Sequence, residues 1–229
     1  MCKLIATGRG NQTMISISAS ILSADPAYIG RDLLQAIEAG ATSVHVDVMD
    51  GYYVQNMTFG PALIHSLAKL TSAPICVHLE VGDPDRIAPL FYDTPCHSIV
   101  FQTDACHNPI HLLREIKAAG KCAGVGIGPA FGTETAKHIL HHVEEVIVMS
   151  VEPGYAGQKF EASVYEKLRE LKAMMKERGL EIPISVDGGV NAQNAAALIE
   201  AGTDILICGS SVFNGNIPEN TKKILHALD

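Results

Sequence analysis

The chain has 229 residues, of which 47% are hydrophobic and 18% charged, values typical of a globular protein with a sizeable core. Its formal net charge of -8 argues against a nucleic-acid-binding surface, and no apolar run reaches the roughly 18 residues that a membrane helix requires. The first 13 residues lack the apolar block of a signal peptide, so we expect a flexible extension at residues 1–13 ahead of a domain at residues 14–229.

Eight segments along the chain have the apolar pattern of β-strands. They lie at residues 15–21, 44–49, 75–81, 98–101, 123–127, 146–151, 183–186 and 205–208. Each is followed by a segment with helical apolar spacing, at residues 26–39, 61–70, 84–91, 109–119, 133–140, 162–178, 191–201 and 218–228. Several of these helical segments begin with proline or end at glycine, as helices often do.

This alternation of strands and helices implies parallel strands in an α/β fold. Eight such units in one chain predict a single (β/α)8 TIM barrel. A doubly wound open sheet is the competing architecture, but no G-x-G-x-x-G motif follows the first strand.

The second predicted strand carries ionisable residues in an alternating pattern. His45, Asp47 and Met49 alternate with valines, so all three point to one face of the strand and the valines to the other. Ionisable groups are rarely buried unless they are paired or bind a metal. This stretch alone is compatible with either a buried histidine–aspartate pair or a metal site.

Further polar residues follow other predicted strands, at the rim where TIM-barrel active sites lie. Ser20 ends the first strand, His78 lies near the end of the third, and Asp187 follows the seventh. His45, Asp47, His78 and Asp187 therefore form a candidate set of metal ligands. Imidazole and carboxylate groups suit zinc, and also iron(II), manganese or cobalt.

Glycine-rich loops follow the last three predicted strands. Their residues are Gly154, Tyr155, Ala156, Gly157, Gly188, Gly189, Gly209 and Ser210. Glycines allow backbone N–H groups to approach an anion, and TIM barrels often bind phosphate after strands seven and eight. The loops predict a phosphate-binding site, although each one alone is also compatible with ordinary turn chemistry.

The six cysteines are scattered and include no C-x-x-C pair. This pattern predicts reduced thiols and a cytoplasmic protein. Outer helices of barrels commonly support association, so we also expect a homo-oligomer without a defined number of subunits.

Six sequence motifs are spread over nearly the whole chain. They are SILSAD at 20–25, HVDVMDG at 45–51, NMTFGP at 56–61, VHL at 77–79, MSVEPGYAGQ at 149–158 and VDGGV at 186–190. Taken together, these motifs resemble those of the ribulose-phosphate 3-epimerase family. The resemblance implies a metal-dependent isomerase that inverts C3 of a ketose phosphate through a metal-stabilised enediolate.

The resemblance also implies roles for individual residues. Asp47 and Asp187 correspond to the acid and base that transfer the proton, and they join His45 and His78 as ligands of one divalent metal ion. The resemblance matches further residues to contacts with the sugar phosphate. These are Ser20, His78, Met49, Met149, Gly154, Tyr155, Ala156, Gly157, Gly188, Gly189, Gly209 and Ser210.

The chain departs from the usual family pattern at several pocket positions. Glu80 stands where a methionine is usual, Gln102 replaces a histidine, and Gly128 and Glu152 each replace an asparagine. These changes leave the reaction class intact but leave open which pentulose or hexulose phosphate is the substrate. A phosphate-binding lyase and a non-catalytic sugar-phosphate sensor are the alternatives.

Overall fold

The computed structural model describes residues 16–228 as one closed barrel of eight parallel strands. The strands run β1 Ser16–Ser20, β2 Ser43–Met49, β3 Ile75–Glu80, β4 Ser98–Gln102, β5 Cys122–Ile127, β6 Glu145–Met149, β7 Ile184–Asp187 and β8 Ile205–Cys208. Each strand pairs with the next, and β1 pairs with β8. Closure confirms the predicted TIM barrel and excludes the open sheet. The predicted extension at residues 1–13 lies outside the described residues.

The helices of the described chain lie between and after these strands. They are α1 Ile29–Glu38, α2 Pro61–Leu67, α3 Pro84–Ile87, α4 Pro109–Ala118, α5 Val164–Glu177, α6 Ala195–Ala201, α7 Ser210–Phe213 and α8 Ile217–His226. No helix within residues 16–228 is both long enough and apolar enough to cross a bilayer.

The helix predicted at residues 133–140 is wrong. The segment instead forms two short 3₁₀ turns, Thr133–Thr135 and Leu140–His142. Ala136, Ile139 and Leu140 have the spacing of apolar residues on a helix, and all three are buried. Here successive turns, not a helix, bury them. In turn, the short helix α7 after β8 was not predicted.

The core has two parts, on opposite faces of the barrel wall. Val44, Val46 and Val48 belong to the large cluster between strands and helices. A smaller cluster that includes Cys76, Ile147 and Met149 involves residues from the other face of the strands. The predicted alternation of β2 is thereby confirmed, because its valines pack against the helices while His45 and Asp47 contact residues of other strands on the inner face.

The cysteines only partly follow the sequence expectation. Cys76, Cys96, Cys106 and Cys208 are free thiols. Cys122, at the start of β5, is disulfide-bonded, so the expectation that all the thiols are reduced is wrong at this position.

Candidate metal centre and active site

Three strands bring four side chains that could hold a metal ion to one end of the barrel. His45 and Asp47 are two residues apart on β2, and the β2–β3 register places His78 directly beside Asp47. Asp187 is the last residue of β7. Asp47 and His78 lie two residues before the ends of their strands, and His45 lies four residues before the end of β2. Because all strands are parallel, the four side chains can meet toward the carboxyl-terminal end of the barrel, where the sequence predicted the site.

The four side chains converge closely. The distance from His45 Nε2 to Asp47 Oδ1 is 2.8 Å, and that from His78 Nδ1 to the same oxygen is 3.1 Å. Asp187 Oδ2 lies 3.5 Å from His45 Nε2 and 3.9 Å from His78 Nδ1. One ligand atom from each of the four residues lies within 4.8 Å of all the others.

Two neighbouring side chains hold this cluster in place. The Ser20 hydroxyl donates a 3.0 Å hydrogen bond to Asp47 Oδ2. On β4, Gln102 Nε2 lies 2.9 Å from His78 Nε2, the ring nitrogen that does not face Asp47. Sequence reasoning noted Gln102 only as a departure from the family pattern and gave it no role. Its inward position on β4, one strand away from His78, is the signal that could have identified it.

The charges in the cluster stabilise one another. Burial opposes ionisation of Asp47, but the charge and hydrogen bonds of His45 and His78 outweigh burial and lower the pKa of this carboxyl. Burial also opposes protonation of His45, yet the charge of Asp47 and hydrogen bonds with both aspartates raise its pKa well above the usual range. The site therefore strongly favours positive charge beside its carboxylates.

The residues present fit a divalent metal ion. Their donors are two imidazole nitrogens and two carboxylate oxygens, a set that suits zinc, iron(II), manganese or cobalt. Within residues 16–228, the ion pairs of Asp47 and Asp187 are made with histidines and with no lysine or arginine. A cation would supply the countercharge that the buried Asp47 and the partly exposed Asp187 need.

A fifth ionisable group, Glu80, stands beside the cluster at the end of β3. Its side chain is buried, and Oε1 lies 4.0 Å from His78 Nδ1. Burial raises the pKa of Glu80 well above its usual range, and the charges of Asp47 and Asp187 add to that effect. The backbone N–H of Gly154 also interacts with this carboxyl group and acts in the opposite direction.

A cavity that is partly open to solvent lies directly above the cluster. It brings together most of the predicted site residues. They are Ser20, Asp47, Met149, Gly154, Tyr155, Ala156, Gly157, Asp187, Gly188, Gly189, Gly209 and Ser210. His45, His78 and Met49 do not line the cavity, although all three are buried at this end of the barrel.

The glycine loops present backbone N–H groups without protein acceptors. Among the hydrogen bonds of residues 16–228, none uses the N–H of Gly188, Gly189 or Gly209. Gly188 has a φ of +105°, and a Cβ there would lie 2.5 Å from Val151 Cγ2. The turn therefore requires glycine, and it leaves donors beside the cavity that can bind an anion.

Contacts between two loops fix the other side of the cavity. The Asn56 amide, on the loop after β2, donates a 2.8 Å hydrogen bond to the Gly154 carbonyl. The Tyr155 hydroxyl donates to the Gln55 carbonyl at 2.5 Å. The loop after β2 therefore positions the first glycine-rich loop.

Glu145 is a buried acid that sequence reasoning missed. It begins β6 and accepts a 3.1 Å hydrogen bond from the Ser185 hydroxyl. Burial raises the pKa of this carboxyl group. The period-two spacing of Glu145, Ile147 and Met149 could have identified it as inward-facing, but the predicted strand began one residue later.

Comparison with known proteins gives concordant matches. Residues 16–213 match the sequence model of the ribulose-phosphate 3 epimerase family. The chain is 38% identical over 201 residues to a protein named ribulose-phosphate 3-epimerase from Bacillus subtilis, covering 87% of this chain and 93% of the relative. It is 39% identical over 199 residues to a protein of the same name from Escherichia coli K12, covering 86% and 88%.

More distant structures share the architecture. A mutant tryptophan synthase α-subunit from Pyrococcus furiosus superposes with a TM-score of 0.70 at 13% identity. The match covers 93% of this chain and 100% of that subunit. At this identity the likeness shows the fold alone.

Proposed function

The chain belongs to the ribulose-phosphate 3-epimerase family, and on that basis we propose that it inverts C3 of a ketose phosphate. D-ribulose 5-phosphate and D-xylulose 5-phosphate are the first substrate pair to test, with related pentulose and hexulose phosphates next. The observation that carries the proposal is the convergence of Asp47 and Asp187 on one pair of imidazoles beneath a cavity bordered by glycine loops.

Inversion of C3 requires removal of a proton from one face and its return to the other. Asp47 and Asp187 come from β2 and β7, so they approach the cavity from different parts of the barrel wall. We assign one carboxylate to each face, where each acts as base in one direction and as acid in the other. The Ser20 hydrogen bond holds the Asp47 carboxyl group in position for this transfer.

The proposed metal ligands are His45, Asp47, His78 and Asp187, with zinc as the first candidate. When bound, such an ion would stabilise negative charge on the substrate oxygens next to C3. The histidines and aspartates are largely withdrawn from solvent, and low polarity strengthens electrostatic effects of this kind.

The phosphate group is assigned to the glycine loops. Gly188, Gly189 and Gly209 offer N–H donors, and Gly154, Tyr155, Ala156, Gly157 and Ser210 border the same cavity. Binding a phosphate there would hold the sugar so that C3 lies between the aspartates. Met149 provides an apolar part of the wall, whereas Met49, at the end of β2, is buried and does not line the cavity.

The barrel rim gives little support to a lyase that works through a lysine. The strands end at Ser20, Met49, Glu80, Gln102, Ile127, Met149, Asp187 and Cys208. None of these is lysine, whereas the two aspartates that we assign to proton transfer both line the cavity. A sugar-phosphate sensor would bind ligand without exchanging the C3 proton.

The test is proton exchange in deuterated water. The zinc-loaded protein is incubated with a panel of pentulose and hexulose phosphates, and NMR follows label at C3. The proposal predicts deuterium at C3 and appearance of the epimer for at least one substrate. Binding without label at C3 would instead favour the sensor.

We further propose a cytoplasmic homo-oligomer. Four of the five cysteines within residues 16–228, all except Cys122, are free thiols and support the compartment, and the outer layer of helices supports association. Light scattering on the purified protein tests the assembly, and a monomer at all concentrations would contradict it.

A further inference from the structure

Glu80 occupies a position from which its carboxyl group can reach a bound sugar. It ends β3, two residues after His78, and lies beside Met49 in the β2–β3 register. Its side chain is only 2% exposed and lines the cavity together with Asp47 and Asp187. The carboxyl group is therefore sheltered from solvent and adjacent to the proposed site of proton transfer.

The contacts of Glu80 leave one oxygen free for an occupant of the cavity. Oε1 approaches His78 Nδ1 only to 4.0 Å, and Glu80 is not among the four residues whose ligand atoms cluster. Oε2 is buried and has no hydrogen-bond partner among the described residues. Buried carboxyl oxygens are nearly always hydrogen-bonded, so this atom needs a partner that the protein itself does not provide.

The chemistry of the surroundings selects the kind of partner. Asp47 and Asp187 make this part of the site rich in carboxylates, which disfavours a second anion such as phosphate. A sugar hydroxyl, in contrast, can both donate and accept a hydrogen bond. Glu80 also lies next to Gly154 of a glycine-rich loop, so it stands between the proposed metal ligands and the proposed phosphate site.

We propose that Glu80 is a specificity-determining residue that hydrogen-bonds a hydroxyl group of the ketose phosphate. The proposal rests on the proposed epimerase function, because it assigns a substrate contact within the same site. A methionine at this position has similar length and no comparable hydrogen-bonding group. Glu80 therefore lets the enzyme distinguish a substrate with that hydroxyl from one that lacks it.

The test combines substitutions at Glu80 with deletion of single hydroxyl groups from the substrate. Glu80→Met removes the hydrogen bond, and Glu80→Gln keeps the shape and part of the hydrogen-bonding capacity. Each is assayed for deuterium exchange at C3 with a parent ketose phosphate and with its 1-deoxy and 4-deoxy analogues. The control variant is Glu161→Met, because Glu161 is exposed and does not line the cavity. It measures the effect of a Glu-to-Met substitution outside the proposed site.

The wild type and Glu161→Met are expected to lose about 10- to 100-fold in kcat/KM toward one of the analogues. Glu80→Met is expected to lose less than about 3-fold for the same deletion, because the partner of the hydroxyl is already absent. Glu80→Gln, which preserves the packing, should show an intermediate loss. Equal losses in the wild type and in both Glu80 variants would overturn the proposal.

Metal binding is measured on the same variants by calorimetry with zinc. We expect the affinity of Glu80→Met to stay within about 3-fold of wild type, since a substrate contact does not hold the ion. A loss of more than about tenfold, the scale expected for groups that support a metal, would show that Glu80 serves the metal site and would overturn the proposal. Absence of C3 exchange by the wild type with every parent ketose phosphate would instead overturn the proposed function itself.

Discussion

The side-chain amide of Gln102 lies 2.9 Å from Nε2 of His78, while Nδ1 of the same imidazole faces Asp47 at 3.1 Å. Gln102 is fully buried, and its Oε1 has no other partner within the described chain. An amide offers a donor and an acceptor, so it can match either neutral tautomer of the ring. If Nδ1 binds the metal, Nε2 carries the proton, and rotation of the Gln102 amide lets its oxygen accept a hydrogen bond from this N–H.

We therefore predict that Gln102→Leu weakens metal binding. The leucine fills a similar volume but leaves the Nε2–H of His78 without an acceptor. Loss of such a partner costs metal sites about 10- to 100-fold in affinity. Calorimetric titration with zinc measures the change, and Gln193→Leu at an exposed position is the matched control. Equal affinities of the wild type and Gln102→Leu would show that His78 needs no such support.

The hydrogen bond from Asn56 to the Gly154 carbonyl predicts an effect on substrate affinity. Asn56→Ala removes the side chain that ties the loop after β2 to the glycine-rich loop after β6. One hydrogen bond of this kind contributes about 1 kcal/mol, so we expect KM to rise about 5-fold with little change in kcat. Gln55→Ala, which keeps the backbone carbonyl that accepts from Tyr155, should leave KM unchanged. A fall in kcat at constant KM would argue against a role in positioning the loop.

Substitution of Gly188 should lower the free energy of unfolding more than substitution of a glycine whose only special feature is a positive φ. Gly188→Ala introduces a strained φ and also brings Cβ to 2.5 Å from Val151 Cγ2. Gly120→Ala is the matched control, because Gly120 has a φ of +78° and no atom within 4 Å of the added Cβ. Both should lose about 1–2 kcal/mol of unfolding free energy from the backbone, and Gly188→Ala should lose more.

The affinity for inorganic phosphate should also differ between the Gly188→Ala and Gly120→Ala variants. Displacement of the Gly188–Gly189 turn should weaken binding of inorganic phosphate in Gly188→Ala, whereas Gly120→Ala should bind like wild type. Calorimetry measures the affinity, and chemical denaturation the stability. Unchanged phosphate affinity in a folded Gly188→Ala protein would remove this turn from the proposed phosphate site.

The buried carboxyl group of Glu145 should make the free energy of unfolding depend on pH. Its pKa is raised by burial, so the folded state holds the proton more tightly than the unfolded chain, whose value is near 4.5. The associated stability is present below the unfolded pKa and is lost as pH rises through the folded pKa. Glu145→Gln abolishes this ionisation while an amide oxygen can still accept from Ser185.

We expect Glu145→Gln to be more stable than wild type at about pH 8, with a difference that disappears near about pH 4. Urea denaturation at several pH values measures this. The exposed Glu181 provides the control variant Glu181→Gln, which should show no such trend. Destabilisation of Glu145→Gln that grows toward high pH would contradict the sign of the pKa shift.

Much of this arrangement was predictable from local patterns. The alternation around His45, the strand-ending polar residues and the glycine loops depend on short-range periodicity, and they placed the barrel and its rim correctly. The partners of those residues depend on register between strands distant in sequence. The contacts of Gln102 with His78 and of Glu145 with Ser185 form only when the barrel closes, so a local pattern can place these side chains on the inner face but cannot name their partners. At residues 133–140 the local pattern was misleading. The spacing of apolar residues predicted a helix, but 3₁₀ turns bury those residues instead.

We propose that Asp47 and Asp187 transfer the C3 proton from opposite faces of the sugar. The most direct measurement is deuterium incorporation at C3 by Asp187→Asn, with folding checked by circular dichroism and with zinc content measured in the same sample. General acid–base groups contribute about 10²- to 10⁴-fold, so a folded, zinc-containing Asp187→Asn protein should lose C3 exchange and epimer formation by at least that range. Exchange and epimer formation at the wild-type rate would contradict the account.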